Sequence, residues 1–216
     1  MNASKYLAEI VGTFVLVFVG SMSIISANGM AAPVLVVVPF GFGLALLAGI
    51  FAVGDVSGGH FNPAVTLAAL LDQRIRIVDA VMYVIAQALG ALVASGAILA
   101  LSNQTTVRST VTAPGNGVGD IQAFSVEVIL AALFLLVILT VTKRDPGHAA
   151  LAIPLTLAAI HFAAIPISGA SVNPVRSLAP ALIGGDLSHL WIYLTAPFVG
   201  AVIGWVLFRV FERAEL

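Results

Sequence analysis

Apolar residues run along this chain in six long blocks separated by short polar connections. The blocks cover Tyr6–Ala27, Pro33–Gly54, Ala80–Leu101, Ile121–Thr142, Ala149–Ile167 and Leu190–Phe208. Each is about as long as the ~20-residue helix that crosses a hydrocarbon core of about 30 Å, so six transmembrane helices are predicted. Two shorter apolar blocks, Pro63–Leu71 and Pro174–Ile183, reach only about 15 Å at 1.5 Å per residue, half a membrane. They are predicted as half-helices that enter from opposite faces and meet in the middle.

The pattern repeats. At an offset of 111 residues Phe51-Ala52 matches Phe162-Ala163, Ser57-Gly58 matches Ser168-Gly169 and Asn62-Pro63 matches Asn173-Pro174. At an offset of 110, Tyr83, Ala86, Gly90 and Ala91 match Tyr193, Ala196, Gly200 and Ala201, and Glu9 and Glu127 take comparable places in the first helix of each half. Three crossings per half is an odd number, so the second copy is inverted, and sites form where inverted repeats meet. The expected organisation is a single channel domain over residues 1–216, with one repeat at about 1–104, a loop at 105–119 and a second repeat at about 120–216. Small residues at every fourth position (Ala86, Gly90 and Ala94; Gly200 and Gly204) are expected to serve helix packing.

Composition agrees with this picture. The 216 residues are 60% hydrophobic and 9% charged, against about 25% charged in soluble domains, so an integral, all-α membrane protein is predicted. A net charge of −1 excludes an ordinary basic nucleic-acid footprint, and the absence of cysteine excludes disulfides, a thiolate metal site and a Cys nucleophile. No metal or cofactor is expected. A cleavable leader competes for the first block, but its length and the presence of Glu9 favour a retained helix. With the N-terminus in the cytoplasm, Lys5, Arg74, Arg76, Lys143, Arg144, Arg209 and Arg213 fall inside, only Arg108 outside, and Arg176 within the membrane. That bias places both termini in the cytoplasm. The segments beyond the outer blocks are short and leave little room for regulatory tails.

The candidate chemistry lies in two Asn-Pro boxes, Asn62-Pro63-Ala64 and Asn173-Pro174-Val175. Asn is a favoured N-cap and Pro a favoured first helical residue, so each box starts a half-helix where a membrane segment has just been interrupted. Irregular backbone at membrane depth is tolerated only where it is buried or lines a water-filled cavity. The carbonyls of Gly58, Gly59, His60, Phe61, Gly169, Ser171 and Val172 are therefore expected to line a pathway. Each Asn oxygen can cap its half-helix while its NH2 donates into the lumen, and both half-helix N-termini aim positive charge at the midplane. Water there turns its oxygen toward fixed donors, which breaks a proton-conducting file and repels cations. Such a site suits a neutral, hydrogen-bonding solute.

Residues 57–66, Ser-Gly-Gly-His-Phe-Asn-Pro-Ala-Val-Thr, and 171–177, Ser-Val-Asn-Pro-Val-Arg-Ser, resemble the two signature loops of the aquaporin (major intrinsic protein) family. The resemblance covers nearly the whole chain and is closest to water-selective prokaryotic members. It implies an aromatic/arginine filter at Phe42, His161, Ala170 and Arg176, buried anchoring roles for Glu9 and Glu127, and a homotetramer with one pore per subunit in the cell membrane. On chemistry alone, Arg176 and His161 are functional candidates because ionisable groups are costly inside a membrane. Glu9 and Glu127 have a second reading as proton-coupling carboxylates of a carrier. His60 is expected to contribute its carbonyl, and His148 and His189 to be solvated loop residues.

Phe42, His161 and Arg176 imply a narrow polar constriction of the water-selective kind, and Ser177 and Ala181 fit the same pattern. Three departures stand against it. Val175 replaces the usual Ala and is expected to add bulk where the half-helices abut, Tyr193-Leu194 replaces two aromatic residues, and Ala170 is small for its position. A broader pore passing glycerol, ammonia or hydrogen peroxide is the alternative within the family. An ion-coupled transporter is disfavoured by the lack of a charged pair at the boxes. A structural membrane-junction protein remains a third class. No His-Glu-x-x-His or Gly-x-Ser-x-Gly motif points to an enzyme.

Overall fold

The computed structural model describes residues 3–29 and 33–213. Among these the chain forms nine helices and no strand: α1 (Ala3–Gly29), α2 (Val34–Ser57), α3 (Pro63–Leu71), α4 (Ile77–Leu101), α5 (Gln104–Arg108), α6 (Asp120–Arg144), α7 (Pro146–Ser168), α8 (Pro174–Gly184) and α9 (Leu190–Arg213). Six of them, α1, α2, α4, α6, α7 and α9, are long and apolar enough to cross a membrane. The six predicted spans are present, and most run further than the apolar blocks. Polar ends extend them: Asp120 opens α6, Lys143 and Arg144 close it, and Asp145-Pro146 starts α7. His148 consequently sits in the first turn of α7 rather than in a loop, with Nδ1 2.7 Å from Asp145 Oδ2. His189 is in a turn, as expected, 2.9 Å from Asp120.

The segment read as loop 105–119 holds helix α5. Asn103 Oδ1 caps it by accepting from Thr106 N at 2.9 Å, a local signal that outweighs the polarity of the stretch. Inside α2, residues Ile50–Gly54 widen into a π-helical turn.

The two halves pack alike. α1 lies on α4 and α2, and α6 lies on α9 and α7; each half-helix contacts the third spanning helix of both halves. Close approach explains two matched glycines: a Cβ on Gly90 would lie 2.4 Å from the Ile10 carbonyl oxygen, and one on Gly200 2.6 Å from that of Val128. The exterior is apolar. Leu7, Phe51, Leu101 and Ile121 are each at least 60% exposed, a surface that water would penalise and a bilayer accepts.

Candidate functional site: a polar cavity between the half-helices

Two loops deliver the boxes. Helix α2 ends at Gly58 (φ 92°) and α7 at Gly169 (φ 78°), both left-handed. The irregular loops end at Asn62 and Asn173, which are themselves extended (φ −158° and −147°) and start α3 and α8 with Pro at the first turn. Phe61 and Val172, equivalent residues immediately before the boxes, are left-handed without being glycine (φ 46° and 45°). Such a backbone costs about 1–3 kcal/mol per residue and needs outside support.

Buried carboxylates supply that support. Glu9 Oε1 accepts from Ser57 Oγ (2.7 Å) and His60 N (3.0 Å), and its Oε2 accepts from Phe61 N (2.8 Å) and Gln87 Nε2 (2.7 Å). Glu127 Oε1 accepts from Ser168 Oγ (2.7 Å) and Ser171 N (2.8 Å), and its Oε2 from Val172 N (2.8 Å). Tyr83 and Tyr193 hydroxyls donate to the Ser57 and Ser168 carbonyls, each at 2.7 Å. Both carboxylates are fully buried, and the hydrogen bonds from the loops, joined at Glu9 by Gln87 of α4, compensate their desolvation.

The asparagines lock the halves together. Asn62 Oδ1 accepts from Ala64 N at 2.9 Å and Asn173 Oδ1 from Val175 N at 3.2 Å. Asn62 Nδ2 donates to the Val172 carbonyl at 2.8 Å, and Asn173 Nδ2 donates to the Phe61 carbonyl at 3.0 Å. An amide NH2 has two hydrogens, so each Asn keeps one for the lumen beside it.

That lumen is a cavity of about 400 Å³ that reaches from Phe42, His161 and Arg176 past both asparagines to Arg74 and Thr142. Helical spacing shows how its walls are made. Phe134, Ile138 and Thr142 of α6, and His161, Leu157 and Ile153 of α7, recur every four residues and form continuous stripes about 12 Å long. Leu16, Leu46 and Val65 add apolar wall. Ser57, Gly58, Gly59 and His60 lie along it from the first loop, Ser171 and Val172 from the second. One side is greasy and the other carries the polar groups.

At one end three side chains close together. The Arg176 guanidinium carbon lies 4.7 Å over the Phe42 ring, and the Phe42 and His161 rings stack at 4.6 Å. Phe42 is seated against α1 at Gly20, where a Cβ would come within 2.2 Å of the ring. His161 Nδ1 lies 2.9 Å from the Leu157 carbonyl. A carbonyl only accepts, so Nδ1 carries the hydrogen, and in the neutral ring Nε2 is left as an acceptor. Among the described residues, His161 Nε2 and Arg176 Nε have no hydrogen-bond partner. The two residues that line this end of the cavity thus each carry an unengaged polar atom, an acceptor on His161 and a donor on Arg176. Arg176 Nη1 donates to Thr112 Oγ1, and Ser177 Oγ lies 2.8 Å from Thr112 Oγ1 and 2.6 Å from Ser171 Oγ.

Several sequence-predicted positions lie elsewhere. Phe61 does not line the cavity; its ring lies against Gly12 of α1, and its carbonyl, like that of Val172, accepts from the opposite asparagine. Gly169 packs against Thr112 and Ala113, and Ala170 is fully buried with its N–H donating to Ser168 Oγ at 3.2 Å, while the side chains of Phe42, His161 and Arg176 meet at the end of the cavity. Pro63, Ala64 and Pro174 are buried helix starts. Val175 joins a buried cluster with Val17 of α1, Ala91 and Ala94 of α4 and Ala179 of α8. His60 contributes its ring as well as its backbone: Nδ1 is 3.0 Å from Thr66 Oγ1, and the ring meets Tyr83 edge-on at 5.2 Å. Sequence reasoning missed Gln87, Thr66, Thr112 and Arg74. A lone amide in an apolar block was the available signal for Gln87; Thr112 and Arg74 gave none.

The chain is similar to known proteins along nearly its whole length. Residues 1–208 match the family model for major intrinsic protein. The glycerol uptake facilitator protein-like 6 of Lactiplantibacillus plantarum is 43% identical, over 92% of this chain and 94% of the relative. Aquaporin Z of Rhodopseudomonas palustris is 38% identical, over 97% of this chain and 94% of its own length. The X-ray structure of the aquaglyceroporin from Plasmodium falciparum superposes with a TM-score of 0.87 at 25% identity, covering 96% of each chain. Six spanning helices, two half-helices meeting at paired asparagines, and a family match along nearly the full length lead to one assignment: this chain is a multi-pass membrane channel, not an enzyme, and belongs to the major intrinsic protein family.

Proposed function

We propose that the chain is a passive water channel that excludes protons and ions. The observation that carries this reading is the narrow end. Phe42 touches both Arg176 and His161 at under 5 Å, and the unpartnered His161 Nε2 and Arg176 Nε match a molecule that donates one hydrogen bond and accepts another. Glycerol's carbon backbone gains nothing from that pair. At the midpoint the spare amide hydrogens of Asn62 and Asn173 and the positive ends of α3 and α8 orient water oxygens inward, which interrupts a proton file. In this reading Phe42, His161 and Arg176 form the filter, Gly58, Gly59, His60, Ser171 and Val172 form the polar track, and Glu9 and Glu127 hold the loops.

The chain acts as one channel domain of two inverted repeats, working as a homotetramer with one pore per subunit in the cell membrane and with cytoplasmic termini. Basic residues support the orientation. Arg74, Lys143 and Arg209 gather at one end around Phe208, Asp72 and Glu212, while Arg108 pairs with Asp186 at the other.

A second reading, a broader pore that also passes glycerol, ammonia or hydrogen peroxide, is favoured by the names of the Lactiplantibacillus relative and the Plasmodium structure. Stopped-flow shrinkage of proteoliposomes separates them: glycerol flux comparable to water flux would exclude the water-selective reading.

A further inference from the structure

We propose that Arg74 is the rim of the pore at the end remote from Arg176, a second size-limiting position on the solute path; the proposal rests on the pore reading above. Arg74 follows α3 after a tight turn, fixed by Arg74 N donating to the Ala69 carbonyl at 2.8 Å and by Gln73 in a left-handed conformation. From there the side chain, 29% exposed, turns along the opening. Nη1 donates to Thr142 Oγ1 (2.6 Å), Nη2 to the Leu139 carbonyl (3.0 Å) and Nε to Asp72 Oδ2 (2.7 Å), with the guanidinium carbon 5.5 Å over the Phe208 ring. Arg74, Thr142 and Leu139 all line the cavity. The guanidinium therefore ties the half-helix turn to the facing wall of α6 along the edge of the opening.

Two features suit it to this task. Asp72, only 6% exposed at its side chain, also meets Arg209 at 3.5 Å, so the anchor is itself held. A guanidinium has five N–H groups, and three are engaged, which leaves two for a solute entering the mouth. By contrast Arg76, two residues on, is 81% exposed at its side chain, pairs with Asp79 and lines no part of the cavity.

The chain contains no cysteine, so Arg74→Cys gives a single thiol. Labelling it in detergent with a benzyl methanethiosulfonate before reconstitution puts a bulky group at the rim. The expected result is a fall of about fivefold or more in osmotic water permeability, while equally complete labelling of Arg76→Cys changes nothing. Complete labelling of Arg74→Cys with unchanged permeability would overturn the proposal, as would a thiol that refuses the reagent, since a rim position meets water. If Arg74→Cys fails to assemble, Thr142→Cys on the facing wall carries the same test with the same outcomes. Failure of the pore reading gives a different signature: unlabelled wild-type protein conducting no faster than empty liposomes.

Discussion

Replacing Glu127 by Gln exchanges one acceptor oxygen for a donor at the point where the second loop is held. The wild-type carboxylate accepts from Ser168 Oγ and Ser171 N through Oε1 and from Val172 N through Oε2. A Gln that keeps its oxygen at the first position turns its NH2 toward the Val172 N–H, leaving that buried donor unpaired at about 1–3 kcal/mol. The two bonds that remain lose their charge assistance, about 1 kcal/mol each. Burying an amide in place of a carboxylate returns part of this, for a net loss of about 2–4 kcal/mol. On the scale of domains this long, that is a fall of roughly 5–15 °C in Tm. Val172 is left-handed, and its carbonyl receives Asn62, so relaxation of the loop also displaces the midpoint amide. Thermal unfolding in detergent and water permeability in proteoliposomes both fall, and Glu127→Ala costs more than Glu127→Gln. A Tm within about 2 °C of wild type, with unchanged permeability, would refute the anchoring role.

His161→Ala removes the acceptor and opens the narrow end, raising glycerol and urea permeability by about tenfold; unchanged selectivity would take His161 out of the filter. Thr112→Val deletes the hydroxyl that receives Arg176, so water permeability falls in protein that still assembles, whereas wild-type flux would show that Arg176 is held by other contacts. Gly200→Ala drives a methyl into the Val128 carbonyl and abolishes monodisperse protein, while Gly96→Ala, with nothing within 4 Å, is neutral or stabilising by about 0.5–1 kcal/mol; equal behaviour of the two would contradict the packing. The Ser188 hydroxyl and N–H, and Arg108, hold the Asp186 carboxyl below the usual Asp range. A depressed carboxylate stabilises above its ordinary titration range and loses that contribution as pH falls through the folded value. Hydrogen exchange in residues 185–189 therefore accelerates below about pH 4 in wild type and shows no such step in Asp186→Asn.

What was legible in the sequence was local. Asn-Pro states a helix start by itself, and a block of some twenty apolar residues states a span, so the helices and boxes were readable while their ends were not. Asp120, Lys143 and Arg144 are polar yet helical because spans continue into the interface, where charge is free to stay solvated. Which face of a helix looks inward was not legible either. Phe134 and Leu157 line the cavity, Leu133 and Leu155 are exposed, and a sequence of near-uniform hydrophobicity contains no difference between them. Val175 shows the same limit: its position in the box was evident, its direction toward α1 and α4 was set by packing. Thr112 and Arg74 act on partners 64 to 68 residues away, and neither distance leaves a mark along the chain.

The most direct test of the central claim is a paired stopped-flow measurement on purified protein in liposomes, with osmotic shrinkage in sucrose for water and swelling in glycerol for the larger solute, run beside a proton-sensitive dye under a pH gradient. A narrow end built by Phe42, His161 and Arg176 predicts water permeability well above that of empty liposomes, with glycerol and proton fluxes at the empty-liposome level. Glycerol entry on the scale of water, or dissipation of the pH gradient by the wild-type protein, would contradict it.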